Sequence, residues 1–112
     1  YDLRFSHLYR LLAQAGAFFI TIPSAFTHKT GQAHWEVLVR ARAIESGCFI
    51  FAPAQVGLHK NGRRTYGHSM IVDPWGKVIS SATNKIGIIY ASIDPNLVKK
   101  SRERIPSMTS FF

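Results

Sequence analysis

Three groups of polar side chains in this sequence have residue types that bind or transform small ligands. The first is Asp2 and Arg4, which follow Tyr1 and form either a structural ion pair or part of a polar site. The second is the run at residues 24–27 with His28, after an apolar segment, where loops at the carboxyl ends of strands often hold ligands. The third, residues 63–69, carries arginines, whose forked donors fit a carboxylate. The second group is equally well a simple connector and the third a solvated hairpin tip, so no group alone defines a reaction.

The single cysteine, Cys48, is the other candidate for chemistry, because a thiolate is a nucleophile. It opens the apolar stretch of residues 48–52, and a thiol enclosed by apolar side chains is inert, so we interpret it as a core residue. One thiol excludes an internal disulfide, which favours a reducing, cytoplasmic compartment. The histidines lack the spacing of zinc ligands, so no metal site is predicted.

Composition and charge narrow the classes of protein further. The chain has 112 residues, 14 Lys+Arg against 6 Asp+Glu, and 46% hydrophobic residues, which predicts one globular domain or a piece of one. The formal net charge of +8 favours an anionic partner. The cations are scattered and accompany no nucleic-acid-binding motif, so we predict no nucleic-acid partner. No apolar run approaches the ~20 residues of a membrane span, so we predict no membrane partner.

The first half of the chain predicts alternating helices and strands. Residues 6–15 have helical spacing, with Ser6 as the cap and a glycine as the stop. Residues 18–22 predict a buried strand, residues 24–33 a loop, and residues 34–46 a second helix. The apolar side of that second helix consists of Trp35, Leu38, Val39 and Ala43. With the apolar strand that starts at Cys48, this order indicates an α/β layer.

The second half predicts a hairpin, further strands and a last helix. Asn61-Gly62 is a tight-turn signal between two short strands. Residues 69–73 and 78–81 predict a strand pair joined by the turn Asp73-Pro74-Trp75-Gly76. Residues 86–93 predict another strand, and Asp94 with Pro95 predicts the start of a helix that runs to about Arg104.

Several longer strings resemble the nitrilase superfamily of carbon–nitrogen hydrolases, in order and over nearly the whole chain. Within it, Tyr-Gly-His-Ser-Met before Asp-Pro-Trp-Gly favours the branch of deaminated glutathione amidase and related ω-amidase-like proteins. The strings are Tyr1-Asp2-Leu3-Arg4-Phe5, Pro23-Ser24-Ala25-Phe26-Thr27, Ala33-His34-Trp35-Glu36-Val37-Leu38, Arg40-Ala41-Arg42-Ala43-Ile44-Glu45, Ala52-Pro53-Ala54-Gln55-Val56-Gly57, Tyr66-Gly67-His68-Ser69-Met70 and Val72-Asp73-Pro74-Trp75-Gly76.

The resemblance implies a fold and a chemistry. The fold is α/β, with residues 1–112 as the C-terminal portion of a single carbon–nitrogen hydrolase domain, a four-layer α-β-β-α sandwich. The chemistry is hydrolysis of non-peptide amides or nitriles by Glu, Lys and Cys. Glu acts as general base, Lys stabilises the oxyanion, and Cys forms a thioester. No metal or organic cofactor is implied, and the family forms homo-oligomers.

The resemblance also places the site residues. In the family the nucleophilic Cys immediately precedes the string that here begins at Tyr1, and Glu and Lys lie further upstream, so no catalytic residue is assigned in this chain. Support of the pocket and the oxyanion is assigned to Tyr1, Asp2, Arg4, Ser24, Ala25, Phe26 and Thr27. His34 and Trp35 are expected close behind them. Ser6 and His7 depart from the usual Pro and Glu.

These observations predict part of a cytoplasmic amidase that acts on a small linear amide such as deaminated glutathione and assembles as a homo-oligomer. These 112 residues alone are expected to be inactive. The alternative is a non-catalytic, truncated relative that serves as an assembly or binding module.

Overall fold

A four-stranded sheet and a long helix packed on it form the centre of the fold. The computed structural model describes residues 2–23, 28–54, 56–58, 64–82 and 88–105. After a 3₁₀ turn at Asp2–Arg4, the elements of the described residues are α1 (Ser6–Gln14), β1 (Phe19–Thr21), α2 (His28–Ser46), β2 (Phe49–Ala52), β3 (Val56–Leu58), β4 (Arg64–Tyr66), β5 (Met70–Val72), β6 (Val78–Ser81) and α3 (Pro95–Arg104).

The sheet mixes parallel and antiparallel pairs. Its strand order is β1-β2-β5-β6. β1 and β2 are parallel, with Phe19 opposite Phe49, whereas β2–β5 and β5–β6 are antiparallel. The parallel pair is joined through α2, as a parallel connection requires. β3 and β4 form a separate antiparallel pair, which confirms the predicted hairpin; its Asn61-Gly62 turn lies outside the described residues.

The core lies between α2 and one face of the sheet. The predicted apolar side of α2 is confirmed, since Trp35, Val39 and Ala43 are at most 1% exposed and Leu38 packs against them. Alternate strand residues meet this side of the helix because successive side chains of a strand point to opposite faces. The strand members of the core are Ile20, Ile50, Ala52, Met70 and Val72.

The structure differs from the sequence-based expectation in three places, two of them the first residues of helices. α2 begins at His28, so the predicted loop over 24–33 is wrong for residues 28–33. Gly31 is buried within this added part of the helix, which continues through it although glycine disfavours a helix interior by roughly 1 kcal/mol. Ser6 is the first helical residue of α1 rather than its cap, and the N-cap position, Phe5, makes no side-chain capping bond.

The third difference concerns the predicted strand at residues 86–93. Residues 88–93 form no strand, and residues 86–87 lie outside the described residues. β6 forms the edge of the described sheet. A strand requires a partner for its backbone N–H and C=O groups, and apolar composition alone does not supply one.

Local signals elsewhere give the expected turns and caps. Gly76 N–H donates to the Asp73 carbonyl at 2.9 Å, which closes the predicted turn. The Asp73 carboxylate also accepts from the N–H groups of Trp75 and Lys77, each at 2.9 Å. Asp94 caps α3 by accepting from Asn96 N–H at 3.0 Å, with Pro95 in the first turn. Such side-chain acceptors satisfy backbone donors that the helix or hairpin leaves open.

α3 is fixed to the end of α2 by Arg102. Its Nη2 donates to the Ala17 carbonyl at 2.6 Å and to the Ser46 carbonyl at 3.2 Å. Ser46 is the last residue of α2, where carbonyls lack helical partners and a cation is favoured by the helix dipole. Gly47 ends α2 in the left-handed region, at φ 63°, and a Cβ there would lie 2.8 Å from Arg102 Cγ.

Two apolar surfaces stay open in the described chain. α1 buries Tyr9 and Ala13, while its leucines Leu8, Leu11 and Leu12 are 39–50% exposed. The sheet face opposite α2 exposes Phe19 at 45%, stacked on Phe51 with ring centroids 5.6 Å apart. Apolar patches of this kind on folded proteins usually mark contact surfaces. No helix of the described ranges is long and apolar enough to span a bilayer.

Arg42 fixes the 3₁₀ turn to α2. Its Nε donates to the Leu3 carbonyl at 2.8 Å, and both residues are buried. Its Nη1 lies 3.3 Å from Oε1 of Glu45, whose pKa is raised because burial of that carboxyl outweighs the attraction of Arg42. The position of Arg4, the next residue after Leu3, therefore depends on an arginine 39 residues away from Leu3 in sequence.

We expect Arg42→Lys to lower the free energy of unfolding by about 1–3 kcal/mol, because lysine keeps the charge but has a methylene group where arginine Nε donates to the buried Leu3 carbonyl. Arg40→Lys is the matched control. Arg40 Nε also donates to a carbonyl, that of Gly76 at 2.8 Å, but its side chain is 50% exposed, so about 0.5 kcal/mol is expected. Urea unfolding measures both. Equal losses would show that the bond to Leu3 has no special role.

The second prediction concerns the backbone at His68, a non-glycine residue at φ 61°. We expect His68→Gly to be more stable than His68→Ala by about 1 kcal/mol, since a Cβ in this left-handed conformation costs about 1–2 kcal/mol. Both variants lose the imidazole, so that loss cancels in the comparison. Thermal and urea unfolding of the two variants give the difference, and an alanine variant as stable as the glycine variant would contradict the assigned strain.

Candidate functional site

The candidate site lies at the carboxyl ends of the two parallel strands. β1 ends at Thr21, and Ile22 N–H still pairs with the Phe51 carbonyl at 2.8 Å. β2 ends at Ala52, and Ala54 N–H then donates to Ser69 Oγ at 2.8 Å. The loop that follows β1 and the segment that follows β2 therefore leave the sheet on one side. This is the edge at which open α/β sheets bind ligands.

Arg4 and His34 meet at the surface of this region. Arg4 Nη2 lies 3.0 Å from His34 Nδ1, although the residues are 30 positions apart. A guanidinium has donors and no acceptor, so Nδ1 must be the acceptor of this bond. A neutral imidazole that accepts at Nδ1 carries its proton on Nε2. The pair thus presents a fixed cation beside a directed N–H donor.

Trp35, the next residue of α2, anchors this pair to the interior. Its side chain is 1% exposed, and its Nε1–H donates to the His68 carbonyl at 2.6 Å. His68 and Gly67 both have left-handed backbone conformations, with φ 61° and 72°, which turn that carbonyl toward the indole. This hydrogen bond fixes the rotation of α2 about its axis at Trp35, and therefore also the side of the helix on which His34 lies.

The structure describes part of the predicted set of site residues. It places Arg4 on the surface against His34 and describes the backbone of Asp2, so the predicted choice between an Asp2–Arg4 ion pair and a polar site stays a prediction. The remaining predicted residues, Tyr1, Ser24, Ala25, Phe26 and Thr27, lie outside the described residues. Their roles stay predictions as well.

The third polar group of the sequence is only partly described. Ser69 has a structural role, because its hydroxyl accepts from Ala54 N–H and lies 3.4 Å from the Ala54 carbonyl. Arg63 lies outside the described residues, and Arg64 is described by its backbone. The interpretation of these arginines as a carboxylate receiver stays a prediction.

Cys48 is confirmed as a core residue. It is 0% exposed, and its Sγ donates toward the Ala17 carbonyl at 3.3 Å. Arg102 Nη2 lies 3.1 Å from the same sulfur. These contacts belong to the attachment of α3. A thiol closed off in this way cannot attack a substrate.

Arg42 is a positioning residue that sequence reasoning did not identify. It stands seven residues after Trp35, and seven residues are close to two helical turns, so both face the same side of α2. A cation at a core-facing position of a helix was the available signal. Such a group needs a buried acceptor, which here is the Leu3 carbonyl.

One cavity lies away from this region. It has a volume of about 90 Å³ and separates the end of α2 from α3 and the turn after β5, with Ile44, Trp75 and Ile105 among its lining residues. Ile44 is ten residues beyond His34, or about 15 Å along the helix. The cavity contains none of the predicted site residues.

The described side chains of the site can bind and orient a ligand. Within the described ranges no group of three or more His, Cys, Asp or Glu residues is arranged to hold a metal ion. The guanidinium of Arg4 and the imidazole of His34 offer donors suited to a carboxylate or a developing oxyanion. The nucleophile of the implied reaction is not among the described groups.

Comparison with known proteins identifies the family. A family model described as carbon-nitrogen hydrolase matches residues 1–103. The chain is 48% identical over 108 residues to the deaminated glutathione amidase of Synechocystis sp.. The aligned region covers 96% of this chain and 40% of that protein. It is 53% identical over 106 residues to the rat deaminated glutathione amidase, covering 95% of this chain and 32% of that protein. The chain thus spans less than half the length of these relatives.

Solved structures agree with the sequence comparison. The NitFhit protein of C. elegans superposes with a TM-score of 0.93 at 46% identity, over 97% of this chain and 26% of that one. Nit3 of Saccharomyces cerevisiae, a member of the nitrilase superfamily, gives 0.87 at 37% identity, over 95% of this chain and 39% of that one. The predicted α/β fold and the predicted resemblance are both confirmed. By sequence and by fold, this chain belongs to the carbon-nitrogen hydrolase family of the nitrilase superfamily.

Proposed function

We propose that residues 1–112 are the C-terminal portion of a hydrolase domain that cleaves the C–N bond of small linear amides. The observation that carries the proposal is the Arg4–His34 pair, 3.0 Å apart. His34 is next to Trp35, whose partner His68 lies two residues before Met70, the residue opposite the end of β2 at Ala52. Arg4 stands four residues after the position where the family carries its nucleophilic cysteine. A cation and a directed donor beside that position suit an anionic amide and its oxyanion.

The proposed reaction uses a Glu-Lys-Cys triad that precedes this chain. Glu removes the thiol proton, the thiolate attacks the amide carbon, and Lys stabilises the oxyanion that forms. The amine leaves with a proton, and water then hydrolyses the thioester with Glu as base. Tyr1, Asp2, Arg4 and the run at residues 24–27 form the wall of the pocket in this proposal.

The proposed substrate is an anionic ω-amide such as deaminated glutathione. Two relatives with 48% and 53% identity are deaminated glutathione amidases. An ω-amide of a dicarboxylic acid carries a carboxylate at the end of its carbon chain opposite the scissile amide, and a guanidinium binds a carboxylate through two parallel hydrogen bonds. The net charge of +8 also attracts an anion to the protein. The proposal includes a reducing, cytoplasmic setting, which keeps a catalytic thiol available.

We further propose that the protein forms homo-oligomers through α1. In a four-layer α-β-β-α sandwich the helices are the outer layers, so nothing of the same domain lies beyond them. Leu8, Leu11 and Leu12 nevertheless expose 41%, 50% and 39% of their surface, next to Phe5 at 51%. A second copy is the partner that covers such an outer face. The open sheet face at Phe19 is instead where the second sheet of the sandwich packs.

The test of function is a reconstituted enzyme, in which the part of the Synechocystis amidase that precedes its matched region is joined to residues 1–112. We expect it to release amine from deaminated glutathione, whereas residues 1–112 alone release none because they lack the triad. Amine release is measured with both proteins at equal concentration, after circular dichroism has established that each is folded.

Two cysteine variants give the matched control. Replacing the cysteine before Tyr1 with alanine is expected to lower kcat by several orders of magnitude, about 10⁶ in a comparable covalent hydrolase. Cys48→Ala removes a buried thiol and is expected to retain turnover. A folded but inactive reconstituted enzyme would contradict the proposed function and favour a non-catalytic assembly module. Turnover by residues 1–112 alone would contradict the assignment of the triad.

The oligomer is tested with Leu11→Glu in the reconstituted enzyme. A charge on the apolar face of α1 would have to be buried without a partner in the interface, so dissociation to the monomer is expected. Ser6→Glu adds the same charge in the exposed first turn of α1, away from the leucines, and is expected to keep the native association state. Sedimentation velocity measures the masses. An unchanged mass for Leu11→Glu would place the interface elsewhere.

A further inference from the structure

We infer, on the basis of the proposed function, that the hydrogen bond from Arg42 to the Leu3 carbonyl sets the orientation of the nucleophilic thiol. The proposed function places the nucleophilic cysteine immediately before Tyr1, three residues before Leu3. Arg42 acts through the backbone of Leu3 rather than on the substrate. It is therefore a positioning residue for the nucleophile, and its role extends beyond attaching the turn.

The bond connects the turn that follows the nucleophile to the long helix of the fold. Arg42 Nε donates to the Leu3 carbonyl at 2.8 Å, and the two residues are 8% and 0% exposed. Leu3 is the middle residue of the 3₁₀ turn Asp2–Arg4. The direction of one peptide plane within this turn is thus set by a buried donor from α2.

Loss of that donor is expected to rotate the backbone of the turn rather than release it. A buried carbonyl without a donor is unfavourable by about 1–3 kcal/mol, and a rotation toward another donor or toward water reduces that cost. Other contacts keep the turn attached to α2, because the Leu3 side chain lies in the core and Arg4 meets His34. These contacts hold the side chains of the turn and supply no donor to the Leu3 carbonyl.

A small rotation is enough to affect covalent catalysis. A thiolate must lie about 3–3.5 Å from the amide carbon, and a misplacement of about 1 Å can lower the rate about a hundredfold. Only Tyr1 and Asp2 separate Leu3 from the position of the nucleophile. Little chain is therefore available to absorb a rotation at Leu3 before it reaches the thiol.

Glutamine and methionine are a matched pair of replacements for Arg42. Glutamine Nε2 and methionine Cε stand the same number of bonds from Cα as arginine Nε, but only the glutamine atom is a donor. Both variants remove the guanidinium that lies 3.3 Å from Glu45 and over the ring of Tyr9, so these losses cancel in the comparison. The difference between the variants isolates the donor to Leu3.

The kinetic test uses glutaramate, an anionic ω-amide, in the reconstituted enzyme. We expect Arg42→Met to lower kcat about tenfold with little change in KM, because the thiol moves while the groups that bind the substrate stay in place. For Arg42→Gln we expect kcat within about threefold of the parent. Circular dichroism at the assay temperature establishes that both variants are folded. Equal losses of kcat in both variants, or no loss in either, would overturn the inference.

Alkylation of the thiol tests the inference without amide turnover. Iodoacetamide reacts with the thiolate, and formation of the thiolate depends on the orientation of the thiol toward its base. Mass spectrometry of the peptide that contains the cysteine before Tyr1 gives the rate. We expect it to be about tenfold slower in Arg42→Met than in the parent and similar to the parent in Arg42→Gln.

The alkylation rates also separate the two possible failures. Equal rates in the parent and both variants would overturn the positioning role of Arg42, whether or not the amide is hydrolysed. The expected difference in rates, found in an enzyme that releases no amine, would support that role and contradict only the proposed function.

Arg40→Met is the matched control for a general loss of stability. Arg40 Nε donates to the Gly76 carbonyl, also at 2.8 Å, in the turn after β5, so an unchanged alkylation rate is expected. A rate as low as that of Arg42→Met would overturn the inference. If Arg42→Met does not fold, Arg42→Lys replaces it, since lysine keeps the charge and has a methylene group at the position of Nε.

Discussion

The position of α2 on the sheet is the constraint on which the rest of the structure depends. It is set by Trp35, whose indole is buried and whose N–H reaches the His68 carbonyl at 2.6 Å. Burying an indole N–H without an acceptor costs up to several kcal/mol. The bond therefore holds α2 and the His68 carbonyl in fixed positions relative to each other. The left-handed backbone at His68 is the strain that this arrangement requires. Both His34 and Arg42 take their directions from the rotation of this helix.

Part of the positive charge of the chain serves to hold the fold together. Three arginines donate to backbone carbonyls that α-helices and turns leave open: Arg40 to Gly76, Arg42 to Leu3, and Arg102 to Ala17 and Ser46. With 6 acidic residues against 14 basic ones, carbonyl oxygens take the place that carboxylates have in more balanced proteins. Three of the 14 basic residues behind the net charge of +8 thus have a structural role in attaching the helices. The net charge is weak support for an anionic macromolecule as partner, in agreement with the carbon-nitrogen hydrolase family to which the chain belongs.

The two open apolar surfaces have different physical origins. The sheet face with Phe19 and Phe51 is an inner surface, since a sheet in a layered α/β domain is covered on both sides. The leucines of α1 lie on an outer helix, while the same helix buries Tyr9 and Ala13 against the core. At about 100° per residue, the two sets lie on one continuous arc of about 200° around α1. Only the part of that arc with Tyr9 and Ala13 is buried against the core.

The sequence by itself determined the features that depend on neighbours within a few residues. The turn at Asp73 and Gly76, the Asp94 cap, the apolar side of α2 and the buried state of Cys48 all follow from local periodicity and hydrogen-bonding chemistry. Resemblance of whole strings added the family. Only the tertiary structure decided that α2 begins at His28, that residues 88–93 lack a strand partner, and that Arg4 meets His34. These outcomes join groups distant in the chain, and a side chain's sequence neighbours do not specify which distant atoms the fold brings within 3 Å of it.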